Sequence, residues 1–354
     1  MKKLKIAIVG VGSIANFHIK SYLASGKAEI YAFCDINEKR LQYMGEKYGV
    51  TRLFTDEAEM LRTLPEIDAV SVCTWNSAHA PCTILALDAG KHVLCEKPMA
   101  TTVEEAEAML EAARRNDRCL MVGFVRRFGA DAMAVRSLAE NDRLGEVYYA
   151  RAKYLRRNGA PGGWFGDKSR SGGGPLIDLG VHVIDLVRYL MGGPRAVSVY
   201  GATFYKLGDR RNIKDTKEYL SSGAQKDDVF DCEDLATATI RFDNGAVLSV
   251  ETSFSLNIGH GEGTIDLFGD KSGVRIDNEV QIFSEMDGYL TDTSLGKRTG
   301  LDADHAFRSE ILHFLNCADG SESVCRAPAE DGVELMRILC AIYRSAETQH
   351  EVIL

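Results

Sequence analysis

The first third of the chain alternates short apolar runs with longer stretches of helical pattern. The runs are rich in β-branched side chains and lie at Ile6–Val9, Glu29–Cys34, Ala69–Cys73, His92–Cys95 and Cys119–Phe124. Strands of a parallel sheet are buried on both faces, so they appear in a sequence as nearly continuous apolar runs joined by helical crossovers. The pattern therefore predicts a doubly wound α/β domain.

The pattern changes after residue 124. Helical periodicity is found at 129–140, 178–191, 304–317 and 329–346, and strand patterns at 147–154, 235–242 and 246–254. Asn244-Gly245 between two alternating segments is a strong hairpin signal, which favours an antiparallel or mixed sheet. The polar stretch 209–228 is interpreted as an exposed insertion. The predicted organisation is one domain at residues 1–124 and an α+β domain with a large, mostly antiparallel sheet at 125–354.

A glycine motif follows the first strand and opens the first helix. It has the form G-x-G-x-x-A and consists of Gly10, Val11, Gly12, Ser13, Ile14 and Ala15. Such a turn places a pyrophosphate at a helix N-terminus, and Asp35 ends the second strand where a carboxylate can accept both hydroxyls of a ribose. The first domain is therefore predicted to be a Rossmann domain that binds a nicotinamide dinucleotide.

The residues after Asp35 favour NAD over NADP. A carboxylate at this position repels a 2′-phosphate, and Ile36 and Asn37 follow it directly. Lys39 and Arg40 lie further into the next helix and keep NADP as the weaker alternative.

Composition narrows the range of partners. The net charge is −9 and the basic residues are scattered, which disfavours nucleic acid and anionic lipid as partners. No apolar run approaches the roughly 18 residues of a membrane span. The nine cysteines form no C-x-x-C pair, so they are predicted to be reduced core residues of a cytoplasmic protein, and a disulfide framework or structural zinc is not expected.

Three further motifs carry chemistry-bearing residues. Glu96-Lys97-Pro98 stands at the carboxyl end of a predicted strand, Gly123-Phe124 leads to Arg127, and Gly172-Gly-Gly-Pro leads to Asp178 and His182. Together with the glycine turn, and in this order, they make the chain resemble the glucose-fructose oxidoreductase/inositol dehydrogenase (Gfo/Idh/MocA) family over nearly its whole length.

The resemblance implies a set of active-site residues. Lys97 would be the active-site lysine, and the Lys97–Pro98 peptide bond would be cis. Asp178 and His182 would form the polar pair of the second domain, and residues four apart on a helix share one face. We expect His182 to act as general base and Lys97 to stabilise the developing alkoxide. The resemblance also places a further group beside the cofactor, consisting of Thr74, Asn76, His79 and Glu96, although Trp75 replaces the usual proline of that loop.

The substrate is less closely defined. Three residues that precede the Asp178 helix suit a polyhydroxylated ring, because they offer aromatic faces and hydrogen-bond donors. They are Tyr154, Arg156 and Trp164. The resemblance adds Arg127, because family members often bind substrate in that region. The loop 156–164 is similar to that of glycoside 3-dehydrogenases, with inositol dehydrogenase activity as the competing reading. The resemblance further implies a homodimer or homotetramer formed through the C-terminal sheet.

Three other functions are less consistent with the sequence. A family reductase acting on an imine or a dihydrodiol keeps the fold but has less need of Asp178 and His182. A catalytically silent NAD-binding regulator predicts the loss of Lys97, Asp178 or His182, and all three are present. A metal enzyme built on His305, Glu310 and His313 is disfavoured, because this spacing does not give one helical face.

Overall fold

The computed structural model describes residues 3–214, 220, 221 and 223–354. They form two compact units. The first comprises the described residues up to Val125 together with Asp304–Met336, and the second comprises Arg126–Ala303 and Arg337–Leu354.

The first unit contains a six-stranded parallel sheet in the order β3-β2-β1-β4-β5-β6. Its strands are β1 (Leu4–Val9), β2 (Ala28–Cys34), β3 (Leu53–Phe54), β4 (Ala69–Val72), β5 (His92–Glu96) and β6 (Leu120–Gly123). Its crossover helices are α1 (Ala15–Ser25), α2 (Glu38–Tyr48), α3 (Glu57–Thr63), α4 (His79–Asp88) and α5 (Val103–Asn116). The predicted doubly wound domain is confirmed, and the strand order reverses between β1 and β4, where such sheets bind ligands.

Burial explains why these strands form. Ile6, Ile8, Val70 and Val93 are fully buried, as side chains on either face of a helix-covered parallel sheet must be. Strand β3 has only two residues, too few to produce a recognisable apolar run.

The second unit is built on a nine-stranded sheet in the order β14-β13-β12-β11-β7-β10-β9-β8-β15. In chain order its elements are α6 (Ala130–Glu140), β7 (Val147–Leu155), α7 (Lys168–Ser171), α8 (Val181–Leu190), β8 (Ala196–Phe204), β9 (Leu235–Phe242), β10 (Val247–Ser253), β11 (Glu262–Gly269), β12 (Ser272–Ile276), β13 (Val280–Met286) and β14 (Tyr289–Ser294), with β15 (Val352–Ile353) near the end of the chain. Strands β7 and β10 run parallel and the other pairs are antiparallel. The predicted mostly antiparallel sheet is confirmed.

The predicted hairpin joins β9 and β10. Arg241 pairs with Val247, and Gly245 has a φ of +86°, a left-handed conformation that favours glycine. The described part of the stretch 209–228 is largely exposed, and residues 215–219 and 222 lie outside the described residues.

Two long helices end the chain, α9 (Ala303–Ala318) and α10 (Ala329–Thr348). The structure differs here from a single boundary after residue 124, because α9 packs with the first unit. Phe307 stacks on Phe17 of α1 with ring centroids 4.9 Å apart, and Lys27 donates to Asn316 at 2.6 Å. Contacts between residues almost 300 positions apart leave no trace in local sequence pattern. Within the described part of the chain, no helix is both long enough and apolar enough to cross a bilayer.

Candidate active site

The glycine turn links β1 to α1. Gly10 has a φ of +83°, and a Cβ atom there would lie 2.7 Å from the Cys73 carbonyl, so no other residue fits. A Cβ atom at Gly12 would meet no atom within 4 Å, which leaves open space above that backbone. The N-cap of α1 is Ile14, whose side chain cannot cap the helix. The Ile14 side chain therefore does not compete with an anionic ligand for the N-terminus of α1.

Asp35 lies half-buried at the end of β2 and contacts this turn. Its Oδ2 atom accepts the Val11 amide at 2.8 Å, and its Oδ1 atom accepts the Asn37 amide at 2.8 Å. Each carboxylate oxygen can accept a further hydrogen bond, as ribose hydroxyls require. Arg40 donates its Nε–H to the Val11 carbonyl at 3.0 Å, so a guanidinium lies beside the same turn. The open space at Gly12, the apolar cap and this carboxylate fit an NAD dinucleotide.

His79 connects two loops at the carboxyl edge of the sheet. It is 1% exposed, its Nδ1 atom lies 2.7 Å from the Pro98 carbonyl, and its Nε2 atom lies 3.2 Å from the Thr74 carbonyl. Burial lowers the pKa of His79, so the ring is neutral and donates from Nδ1 to the nearer oxygen. The Lys97–Pro98 bond is cis, as the resemblance implied. His79 therefore positions the turn that carries Lys97.

Glu96 begins a buried chain of hydrogen bonds. Its Oε1 atom lies 2.8 Å from Nε2 of His18, whose Nδ1 atom lies 3.3 Å from the Ser71 hydroxyl, and Ser71 lies 2.7 Å from the Tyr22 hydroxyl. Burial raises the pKa of Glu96, but the hydrogen bond and charge of His18, followed by the charge of Lys97, outweigh it and hold that pKa below its usual value. Glu96 is thus an anion next to the lysine that the sequence singled out.

The sequence did not identify Glu310 as part of this cluster. Glu310 lies on α9 and is fully buried, and neither carboxyl oxygen finds a hydrogen-bond partner among the described residues. Burial, and then the charge of Glu96, raises the pKa of Glu310 well above its usual value. Burial therefore favours the neutral, protonated form of Glu310.

The raised pKa of Glu310 makes stability depend on pH. An acid whose pKa is higher in the folded than in the unfolded state contributes stability that is complete below its unfolded pKa of about 4.3 and is lost as pH rises. We expect Glu310→Gln to match the parent near pH 4 and to melt at a higher temperature at pH 7. Between the unfolded and the folded pKa of Glu310, the free energy of unfolding of the parent falls by about 1.4 kcal/mol for each pH unit. Melting curves across pH test this, with the exposed Glu46→Gln as control; parallel curves for Glu310→Gln and parent would contradict it.

Asp178 and His182 lie on one buried helical segment of the second unit. Within residues 173–188, all of which the structure describes, only these two are not buried. The helix begins earlier than predicted, with a π-helical turn over Leu176–Gly180 that continues into α8. The four-residue spacing therefore starts in a π turn, a conformation that is frequent at functional sites.

The start of this segment is held by Glu233, which sequence reasoning missed. Glu233 is 1% exposed and accepts the Gly174 amide at 3.0 Å, the Leu176 amide at 3.2 Å and the Tyr343 hydroxyl at 2.8 Å. A Cβ atom at Gly173 would lie 2.0 Å from the Tyr343 hydroxyl oxygen, which explains a glycine there. A buried carboxylate thus caps the turn that presents Asp178.

Arg127, one of the predicted substrate residues, is buried in an ion pair. It is 1% exposed and forms a two-pronged ion pair with Asp185, with its Nε atom 3.0 Å from Oδ2 and its Nη2 atom 2.5 Å from Oδ1. Its guanidinium also lies 4.9 Å from the centre of the Tyr189 ring. The ion pair and the ring contact together satisfy the buried charge of Arg127.

The other predicted substrate residues remain accessible. Tyr154 is half-buried against the cluster formed by Ala160, Leu179 and Phe254, which brings it beside the π turn. Arg156 stacks over Tyr154 at 5.5 Å, and Trp164 stacks on Phe165 at 4.0 Å. Tyr154 and Arg156 therefore lie beside the π turn that carries Asp178.

Comparison with protein families matches both halves of the chain. Residues 4–124 match the model described as the oxidoreductase family with an NAD-binding Rossmann fold, and residues 136–354 match its C-terminal alpha/beta domain. Both models carry the name Gfo/Idh/MocA.

Individual proteins are similar along the same length. D-glucoside 3-dehydrogenase of Escherichia coli (strain K12) is 36% identical over 98% of this chain and 96% of its own. Myo-inositol 2-dehydrogenase of Thermotoga maritima is 28% identical over 78% of this chain and 75% of its own. Levoglucosan dehydrogenase, solved with NADH and levoglucosan, has a TM-score of 0.82 and 25% identity, with 99% of each chain covered.

Proposed function

The chain belongs to the Gfo/Idh/MocA family of NAD-dependent oxidoreductases, and on that premise we propose that it oxidises the C3 hydroxyl of a glycoside. The similarity to D-glucoside 3-dehydrogenase covers nearly all of both chains, which supports this substrate class over a cyclitol. The observation that carries the proposal is the buried segment 173–188, on which only Asp178 and His182 are not buried.

A bound NAD would supply the hydride acceptor, and the chain's own residues would handle the proton. The carbon that bears the hydroxyl group can lose a hydride only as the hydroxyl proton departs. A base must therefore lie within hydrogen-bond reach of that oxygen. We assign that role to His182, with Asp178 keeping the imidazole in one tautomer. Lys97 donates a hydrogen bond to the same oxygen and stabilises its negative charge.

Recognition of the dinucleotide and of the sugar falls to different residues. The pyrophosphate would lie at Gly12, Ser13 and Ile14, and the ribose at Asp35. The nicotinamide side would meet Thr74 and Asn76, with His79 and Glu96 positioning Lys97. The sugar ring would bind to Tyr154, Arg156 and Trp164, because aromatic faces and guanidinium donors suit a polyhydroxylated ring.

A substrate panel tests the proposal. The purified chain is mixed with NAD and with simple glucosides, glucose, myo-inositol or scyllo-inositol, and formation of reduced nicotinamide is followed by its near-ultraviolet absorbance. We expect turnover with the glucosides. Turnover with inositols alone would replace the proposed substrate by a cyclitol, and absence of nicotinamide binding would remove the oxidoreductase mechanism altogether.

Asp35 and Arg40 predict the cofactor preference. We expect Asp35→Ala to weaken NAD binding on the order of 10- to 100-fold, the worth of hydrogen bonds to a charged group, and to improve NADP binding because Arg40 remains beside the turn. Dissociation constants for both dinucleotides measure the effect. The double variant Asp35→Ala/Arg40→Ala is the matched control and should lose the gain for NADP. An unchanged preference in Asp35→Ala would mean that another residue reads the ribose.

We further propose a cytoplasmic homodimer or homotetramer that pairs through the nine-stranded sheet. One face of this sheet, with Ala150 and Val250, is buried. The opposite face carries Arg151 and Arg275 on Asp266, at 3.2 and 2.7 Å, a partly exposed surface suited to a second copy. Light scattering of the purified chain decides between monomer and oligomer.

A further inference from the structure

Four side chains of types that can ligate a metal lie in one region of the first unit, away from the glycine turn. Cys119 immediately precedes β6, His313 and Cys317 are one turn apart on α9, and Cys325 lies in the connection between α9 and α10. We call these four residues the Cys119 cluster. Neither the proposed reaction nor the proposed cofactor contacts involve any of them.

The spacing within the cluster fits a tetrahedral metal site. One ligand atom each from His313, Cys317 and Cys325 lies within 4.8 Å of the other two. The Nε2 atom of His313 is 3.6 Å from Sγ of Cys317. Tetrahedral zinc with its usual bond lengths separates nitrogen from sulfur by about 3.6 Å and sulfur from sulfur by about 3.8 Å.

Cys119 lies beside this three-residue group and is the fourth ligand that we assign. Its thiol interacts with those of Cys317 and Cys325. Three sulfurs and one imidazole nitrogen form a Cys₃His set, which closed structural zinc sites use. All three cysteines are partly buried free thiols and His313 is buried, so the donors are sheltered without being sealed from solvent.

His313 has a hydrogen-bond partner outside the cluster. The Arg326 amide donates to Nε2 of His313 at 2.9 Å. Metal coordination by this nitrogen would exchange that hydrogen bond for a bond to the ion.

The cluster lies where a bound ion would stabilise the connection between α9 and α10. Strand β6 is the edge of the parallel sheet, and the connection between α9 and α10 runs along it. The Val122 amide donates to the Ala327 carbonyl at 3.0 Å, and Met121 bridges to Pro328. A metal joining Cys119 to residues 313–325 would fix this connection over an otherwise open strand edge.

We propose that Cys119, His313, Cys317 and Cys325 bind one zinc ion that fastens the connection between α9 and α10 to the edge strand β6. The proposal departs from the sequence expectation of no structural zinc. That expectation rested on the absence of a C-x-x-C pair, whereas here the ligands come from two distant parts of the chain.

Metal content tests the proposal. Untagged protein, purified with a reductant and dialysed, should carry one zinc per chain by elemental analysis. After removal of zinc by a strong chelator, we expect Tm to fall by several degrees and to recover with zinc, because a ligand that binds only the folded state stabilises it. Cobalt(II) added to the metal-free protein should give the intense visible bands and the thiolate charge-transfer absorption of tetrahedral sulfur-rich ligation.

Variants locate the site. Cys325→Ser and Cys317→Ser should lose the zinc and the cobalt spectrum, whereas Cys82→Ser, at a half-buried thiol outside the cluster, should keep both. The cobalt titration of the parent protein needs no variant, so it decides the matter even where a variant fails to fold. Parent protein that binds neither zinc nor cobalt when reduced would overturn the proposal. A disulfide within the cluster, with no metal bound after its reduction, would overturn it as well.

Discussion

Lys97→Ala is expected to lower kcat by about 10²- to 10⁴-fold, the usual contribution of a group that handles a proton or the charge it leaves. The residue stands directly after β5, at the carboxyl edge of the sheet, in a turn that His79 ties to the Thr74 loop. Removing the amine leaves this scaffold in place, so NAD affinity should remain nearly unchanged. Steady-state kinetics with the substrate found by the panel, together with NAD binding by calorimetry, measures the two quantities separately.

Two further variants control for charge and for folding. Lys20→Ala removes an exposed lysine from α1 of the same unit and should leave both quantities unchanged. Lys97→Arg keeps a cation of different shape and should recover part of kcat. Lys97→Ala with undiminished turnover would remove this lysine from the chemistry, and a collapse of NAD affinity with normal kcat would make it a cofactor ligand.

His182→Asn is expected to cause a loss of similar size in kcat/KM and to change the pH profile. In the parent, activity should fall at low pH because a protonated imidazole cannot accept the substrate proton. Asparagine has no such titration, so the variant should lack this acidic limb. Rates measured from pH 5 to about pH 9 compare the two.

The controls separate a base from a packing residue. Asp178→Asn should lower kcat while keeping the acidic limb, because the imidazole is still present. His260→Asn, at an exposed histidine of the same unit, should behave as the parent. If His182→Asn keeps both the rate and the limb, another group takes the proton.

The sequence already determined the elements of the first unit that bind the dinucleotide. Strands β1, β2, β4, β5 and β6 are continuous apolar runs because parallel strands are buried on both faces. Gly10 was predictable because the tight turn after β1 requires a positive φ, here +83°. These features depend on the local order of residues, so the sequence alone is enough to predict them.

Local pattern also determined much of the second unit. The hairpin at Asn244-Gly245, the strands around it and helices α9 and α10 were all foreseen. The motif ending in Asp178 and His182 marked the partly exposed pair. Its π-helical first turn was not foreseen, because the spacing of apolar residues around a short π turn differs little from that of an α-helix.

Only the tertiary structure decided which distant residues share an environment. Arg127 is paired with Asp185, and Glu233 and Tyr343 hold the Asp178 turn from elsewhere in the second unit. The pKa of Glu310 is raised because the residue is buried near Glu96. Pairing, burial and pKa depend on distances in space, and residues far apart in the chain acquire those distances only when it folds.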